Sequence, residues 1–571
     1  MRAHIPLLGQ LRDYDGDRLK GDLTAGLTVG VMLIPQGMAY ALIAGLPPIY
    51  GLYASLMPLI VYAFLGTSRQ LAVGPVAMVS LLVAAGVGPI AAGPEEYIAL
   101  TLLLTLMVGL IQFILGMARF GFLVNFLSHP VLAGFTSAAA LIIGFSQLNH
   151  LLGISIDRSH FVHDIIASAA AQAGTIHLPT LLIGLASIAA LVLVRRWRRS
   201  FPGALLVVGA ATLVTAVWGL ETMGVRVVGT VPEGLPGFIV PSVSLEHVLA
   251  LLPTALVISL VGFMESIAVA KVYASRGRYR LDANQELIGL GLANVVGAFF
   301  RAYPTTGGFS RTAVNAEAGA QTNAAAVVSA AIIALTLLVL TPLFYYLPNA
   351  VLAAIVMVAV SGLFDWKEMA FLWKVDRRDL TLLLITFAAT LALGIEQGIL
   401  VGVVASLVSV VHQSVRPHTA VMGRLPGTMT YRNVDRHPEA LVTSGTVILR
   451  MDASYYFANT DYLKERLGEI ARPDHDVKAL VIDAYPVNTI DSTAAHALRE
   501  SLLELRRRGV GVYFAGVKGP VFDVLERAGI ADLIGREHFF YEVHEAVEAA
   551  DTFFDSSSDQ PQQKEEPTHV E

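Results

Sequence analysis

The chain has 571 residues, 55% of them hydrophobic and 15% charged, with no cysteine and a formal net charge of −6. A mean hydropathy of +0.63 excludes an ordinary soluble protein and puts most of the chain in a lipid bilayer. The missing cysteines exclude disulfides, thiolate catalysis and cysteine-based metal sites, and the mild charge selects no class of partner.

Residues 1–21 are polar and mixed in charge, so a short N-terminal segment without a cleavable signal peptide is expected. Between Leu23 and Ser68 there is no Asp, Glu, Lys or Arg, a run long enough for two helical spans of about 20 residues each. The first reads as Asp22 to Ala44, capped by Asp22 and interrupted at Pro35-Gln36-Gly37. The second reads as about 49–65. Leu71 to Val76 then reads as extended and leads into apolar helix to about Ala92, so that Pro75 looks like a helix start inside the membrane. Spans at about 97–116, 122–145, 176–194 and 201–220 make seven before the polar loop 221–246.

A second seven follow at about 248–271, 285–300, 308–322, 324–345, 349–364, 380–395 and 397–413. The two sets correspond in order. Pro35-Gln36 in span 1 matches Met264-Glu265 in span 8, and Val73-Gly74-Pro75 in span 3 matches Gly307-Gly308-Phe309 in span 10. Seven is odd, so the second set must be inverted, and two half-helices then enter from opposite sides with their N-termini meeting near the midplane. Arg69, Arg119, the Arg195 to Arg199 cluster, the run from Lys271 to Arg280 and Lys367 to Arg378 all fall on one face. The positive-inside rule makes that face cytoplasmic and puts both termini inside, with Arg301 as a mild exception on the outer face.

Pro304 to Thr322, PTTGGFSRTAVNAEAGAQT, is the stretch on which a function rests. It places Arg311 within buried sequence, where a lone charge costs on the order of 3 kcal/mol. Thr305 to Gly308 cannot continue a good helix, whereas Ser310 to Ala320 can. Such a broken span aims free N–H groups and the positive end of a helix dipole at one point, and a guanidinium beside them makes that point an anion site. The structural alternative is an ion pair with Glu317 or Glu265. Gln36 and Tyr40, four apart, share a face of span 1 and could offer an amide and a phenol to an oxyanion or simply join helices. Glu265 could carry a proton in a dry site or only tie span 8 to the core. Thr305, Thr306 and Thr312 suit packing, and Gly26, Gly30 and Gly37 suit close helix contact.

From about Arg416 the pattern becomes a soluble alternation. Strands are expected at 447–451, 479–484 and 511–515 and helices at 461–470, 491–507 and 520–528. The expected organisation is 1–21 as a cytoplasmic segment, 22–415 as the membrane domain, 416–551 as a small cytoplasmic α/β domain and 552–571 as a structureless tail. Asp491 reads as a helix N-cap, with the hydroxyls of Ser492 and Thr493 beside it. No phosphate-binding G-x-x-x-x-G-K-[ST] occurs, which speaks against an ATP-driven pump. No nucleophile sits beside a base, so an enzyme is not expected, and neither is a cofactor or metal.

Pro35 to Ala41, Ala44 to Tyr53, Val73-Gly74-Pro75 and Gly307 to Asn315 together resemble the sulfate permease (SulP) family of anion transporters. Ile490 to Thr493 before a helix looks like the STAS domain that those proteins carry, a likeness that implies Ser492 and Thr493 as candidates for regulatory phosphorylation. The resemblance implies fourteen spans in two inverted seven-span repeats, as in uracil permeases, with a core moving like an elevator against a gate, usually in a homodimer. It also implies an anion held between Gly74, Pro75 and Val76 and Phe309, Ser310 and Arg311, with Gln36 and Tyr40 facing it. Glu265 matches the family's acidic position, a candidate for cation coupling. Val269 stands where sodium-coupled members carry a hydroxyl, which leans the coupling towards protons. Sulfate uptake is the expected function. The alternatives are bicarbonate or dicarboxylate transport, an uncoupled exchanger or channel, and a signalling or docking role for the C-terminal domain.

Overall fold

The computed structural model describes residues 6–11, 14–125, 128–155, 161–197, 203–470 and 477–558. The chain up to Ser406 forms one compact unit and the chain from Leu407 another.

The first unit is helical. Spans 1 and 2 are Gly16–Ile43 and the pair Ile49–Ala54 and Met57–Leu65. Span 3 is a short strand β1, Val73–Gly74, followed by the helix Ala77–Val87. Spans 4 to 9 are Pro94–Met117, His129–Ser146, Leu178–Trp197, Gly203–Trp218, Leu245–Arg276 and Ala283–Phe299. Span 10 repeats the broken design of span 3, with strand β2, Thr306–Gly307, before the helix Phe309–Glu317. Span 11 begins as Ala324–Leu335 and ends in π and 3-10 turns, and spans 12 to 14 are Asn349–Val360, Arg377–Leu393 and Ile395–Val415. Six helical stretches among the described residues are each long and apolar enough to cross a bilayer; the other spans are shorter or interrupted.

The packing obeys the repeat. Span 1 lies on span 11 as span 8 lies on span 4, span 5 on span 13 as span 12 on span 6, and span 1 on the half-helix of span 10 as span 8 on that of span 3. Span 2 packs on its own counterpart, span 9. These pairings exchange when the first seven spans are swapped with the second seven. Gly26 and Gly30 let span 1 approach span 11 so closely that a Cβ at either would meet Val328, Ser329 or Ile332, and Ser329 donates to the Gly26 carbonyl at 2.8 Å. Gly37 faces Gly51 so closely that a Cβ on Gly51 would collide with the Gly37 carbonyl.

Four boundaries differ from expectation, each for a local reason. Asp22 does not cap span 1: Asp15 does, by accepting from the Arg18 amide at 2.9 Å, and the helix passes through Asp22. Pro35 does not interrupt span 1, which is helical on both sides of it; the ring costs one backbone bond that tight packing tolerates. Pro75 is not the first helical residue, because Val76 is the extended cap and the helix begins at Ala77 and ends at Val87. Span 5 starts at His129, after a 3-10 turn at Phe120–Asn125. Trp366–Val375 forms a short helix between spans 12 and 13, with Trp366 and Trp373 exposed. Of the basic cluster, Arg198 and Arg199 lie outside the described residues.

The second unit is a six-stranded sheet in the order β4-β3-β5-β6-β7-β8. β5 (Thr446–Met451), β6 (Ala479–Asp483), β7 (Gly511–Ala515) and β8 (Phe539–Phe540) run parallel, while β3 (Thr419–Arg424) is antiparallel to β4 (Tyr431–Asn433) and β5. Strand alternation splits the core between the faces. Leu449, Leu480, Ile482 and Phe514 pack under the helices Thr460–Ile470, Ser492–Arg507 and Gly519–Arg527, and Ile448, Val481 and Tyr513 pack under Val543–Ser558. That last helix runs to Ser558, past the expected domain end at 551, and Val543, Ala546, Val547 and Ala550 repeat at helical spacing and cover the sheet; residues 559–571 lie outside the described residues. Asp491 caps Ser492–Arg507 by accepting from the Ala494 amide, and it also accepts from the Phe457 amide, each at 2.8 Å. Asp491→Ala is expected to cost about 1 to 2 kcal/mol, read as a lower thermal midpoint for this unit within the full chain.

Candidate functional site

Residues that cannot sustain a helix become useful when two such stretches meet. β1 and β2 pair antiparallel, Val73 opposite Gly307 and Gly74 opposite Thr306, and this miniature sheet holds the two half-helices with their N-termini inward. Neither half-helix has a side chain capping its first amides, so both present orphan N–H groups and the positive end of a dipole.

The extended segment of span 10 is bolted to its neighbours. The Thr305 amide and hydroxyl donate to Asn294 Oδ1 at 2.8 and 3.1 Å, and Asn294 Nδ2 donates to the Thr305 carbonyl and to Gln112 Oε1, both at 3.1 Å. The Gly307 amide donates to the Ser266 hydroxyl at 2.8 Å, and the Thr306 hydroxyl lies 2.6 Å from the same oxygen. Thr312 accepts from the Ala72 amide at 3.1 Å, which ties span 10 to the segment before β1. The three threonines expected to serve packing therefore all bond within the scaffold. Sequence reading missed Asn294, Gln112 and Ser266, polar side chains inside spans 9, 4 and 8.

Arg311 stands two residues into the span 10 half-helix and is 1% exposed. Its Nη1 donates to the Pro75 carbonyl at 2.5 Å and reaches Gln36 Oε1 at 3.4 Å. Its Nε and Nη2 are buried with no hydrogen-bond partner. No ion pair joins it to Glu265 or Glu317 among the described residues. Gly74 and Gly308 leave the guanidinium face bare: a Cβ would stand 3.5 Å from Nη2 at Gly74 and 3.0 Å at Gly308.

The other expected residues gather unevenly. Gln36 and Tyr40 are buried and bonded to each other, amide to phenol at 2.9 Å, with the Gln36 carbonyl turned to Arg311. Val76 is buried at the head of the span 3 half-helix. Phe309 and Ser310 are exposed, Phe309 by 46%. Glu265 lies on span 8 with Oε2 buried and unpartnered, near enough for its charge to act on Arg311 along with the Tyr40 and Tyr303 hydroxyls. Tyr303, a further residue not expected, meets the Ser80 hydroxyl at 3.2 Å. Ser492 and Thr493 belong to the other unit, exposed at the start of their helix.

An inverted pair of broken helices in a fourteen-span membrane unit, followed by an α/β unit, defines a class of membrane transporter rather than of enzyme. The sulfate permease family model matches residues 19–386 and the STAS domain model residues 437–546. The chain belongs to the sulfate permease family. It is 45% identical to the probable sulfate transporter 4.2 of Arabidopsis thaliana over 567 residues, 96% of this chain and 83% of that one. It is 36% identical to a probable sulfate transporter of Mycobacterium tuberculosis, covering 95% and 97% of the two chains. Murine solute carrier 26 family member A9, an anion transporter solved in the inward-facing state, superposes with a TM-score of 0.88 at 26% identity over 96% of this chain and 94% of that one.

Proposed function

We propose that this chain is a secondary active transporter that binds a sulfate-type oxyanion between Gly74, Pro75 and Val76 and Phe309, Ser310 and Arg311, with Gln36 and Tyr40 facing it. The observation that carries this reading is the Arg311 guanidinium, buried with two nitrogens unpartnered at the meeting point of two uncapped helix N-termini. A buried cation is costly until something neutralises it, and a tetrahedral oxyanion supplies acceptors for both nitrogens and for the orphan amides. The sulfate transporters among its relatives support that choice of anion.

In the same reading the core slides like an elevator against the gate in a homodimer, with both termini cytoplasmic, residues 22–415 as the transport domain and 416–551 as the STAS domain. Ser492 and Thr493 are accessible there for phosphorylation as a control. Glu265 balances the site by taking up a proton that travels inward with the anion; Val269, one turn on, offers no hydroxyl to a sodium ion. Sulfate uptake into proteoliposomes should therefore rise several-fold when the outside is made acid, without sodium. Glu265→Gln should remove that rise and leave binding in place. A rise that persists in Glu265→Gln contradicts the proton role, and sulfate neither bound nor taken up by the unmodified protein contradicts the transport reading.

A further inference from the structure

We propose that Ser266 and Thr306 are positioning residues for the anion site: together they lock β2, and so the first turn of the Arg311 half-helix, onto span 8. This rests on the transport reading given above. Both side chains are buried, Ser266 fully and Thr306 to 1% exposed, and three hydrogen bonds meet on them. The Gly307 amide donates to the Ser266 hydroxyl at 2.8 Å, the two hydroxyls lie 2.6 Å apart, and the Thr306 hydroxyl donates to the Gly262 carbonyl.

Proton counting fixes the direction of each bond, because a hydroxyl has one proton to give. Thr306 gives its own to Gly262. The proton between the two hydroxyls is therefore that of Ser266, whose oxygen is left to accept from Gly307. The result is a one-way chain from the Gly307 N–H through Ser266 and Thr306 to the Gly262 carbonyl, with no donor left over. A serine inside a helix ordinarily turns back on the carbonyl four residues before it. Ser259 in the same span does so, donating to the Ala255 carbonyl at 2.6 Å. For Ser266 that carbonyl is Gly262, but Thr306 occupies it, and the serine bonds to β2 instead. Gly262 makes room for the exchange: a Cβ there would stand 3.3 Å from the threonine hydroxyl.

The clamp belongs to one repeat only. By the correspondence that pairs Pro35-Gln36 with Met264-Glu265 and Val73-Gly74 with Gly307-Gly308, the first repeat has Gly37 in place of Ser266 and Ala72 in place of Thr306. Neither has a hydroxyl, yet β1 and the span 3 half-helix form. A broken span therefore does not need the clamp to fold, and the repeat that has it is the one whose half-helix carries Arg311. Gly307 and Gly308 stand directly before that half-helix and have no side chain of their own to hold them. A buried network with every member satisfied removes that freedom and sets the orphan amides and the guanidinium in place before the anion arrives.

The experiment measures sulfate uptake into proteoliposomes of the full chain and separates the half-saturating concentration from the maximal rate. Ser266→Ala and Thr306→Val are each expected to raise the half-saturating concentration about tenfold and to leave the maximal rate within about twofold. Either suffices if the other folds poorly. Thr306→Ser keeps the hydroxyl and should stay near the unmodified protein. Ser329→Ala removes a buried hydroxyl of the same kind, bonded to the Gly26 carbonyl at 2.8 Å, and should leave the half-saturating concentration unchanged. Clamp variants that saturate like the unmodified protein, or that lower the maximal rate alone, overturn the positioning role, as does a shift in Ser329→Ala as large as theirs. An unmodified chain that takes up no sulfate overturns the transport reading, and this one with it.

Discussion

Arg311→Ala is expected to abolish sulfate binding and uptake while leaving the protein folded. Charge-assisted hydrogen bonds are worth about 1.5 to 3 kcal/mol each, so losing two from the guanidinium to the anion weakens binding by roughly a hundredfold or more. Stability should respond in the opposite sense to an ordinary core truncation. The side chain is buried with Nε and Nη2 unpartnered and forms no ion pair among the described residues, so its removal forfeits few contacts, and Glu265 can take up a proton once the cation is gone. Only the Pro75 and Gln36 oxygens lose a donor. Thermal midpoints without sulfate should therefore be similar for the two proteins, and the rise on adding sulfate should vanish in the variant. Arg311→Lys, a point charge without the planar fork, should fall between them. Uptake that survives Arg311→Ala would remove the pocket from the mechanism.

The largest loss of stability is expected at Glu286, which bonds no ligand in this reading. Its carboxylate, fully buried at the start of span 9, accepts from the Tyr62 hydroxyl, the Thr67 amide and the Thr67 hydroxyl, each at 2.6 Å, and from the Ser68 amide at 3.0 Å. These donors lie at the turn that delivers the chain to β1, so one carboxylate fixes where half of the broken pair begins. Glu286→Leu leaves four donors unmet, the two from Tyr62 and Ser68 buried and the two from Thr67 partly so, at about 1 to 3 kcal/mol each before relaxation, and a net loss of about 4 kcal/mol is expected. Glu286→Gln keeps an acceptor for the turn and should lose much less. Detergent-solubilised thermal midpoints read both; a leucine variant as stable as the unmodified protein would show the turn to be held by packing alone.

The membrane fold was legible because its signals are long-range and simple. Runs without charge gave the hairpins, an odd number of spans per repeat forced inversion, and Gly307-Gly308 before Phe309 marked a helix that starts late. The misreadings came from residues with more than one local use. Asp22 looks like a cap by sequence, yet its carboxylate spans 300 positions to accept from Thr322, amide at 3.0 Å and hydroxyl at 2.6 Å, with Tyr14 donating to it as well. Pro35 looks like a breaker, but span 1 stays helical through it. Glu286, in the first turn after the cap Asp282, looks like routine dipole chemistry, and nothing local marks it as the anchor of a turn two hundred residues earlier. In the C-terminal unit, β8 is two residues long and β4 three, too short for alternation to register. At the site, the position of Arg311 could be read from sequence; its lack of a carboxylate partner and the bare glycine faces beside it needed coordinates.

The most direct test of the central claim is a structure of the full-length protein with selenate, the heavier analogue of sulfate, located by its anomalous scattering. The selenium should lie within about 4 Å of the Arg311 guanidinium, between the first turns of the span 3 and span 10 half-helices, and should be absent from Arg311→Ala. Selenate transported by the same protein but bound elsewhere, with the guanidinium still unpartnered, would contradict the claim that this pocket is the place of binding.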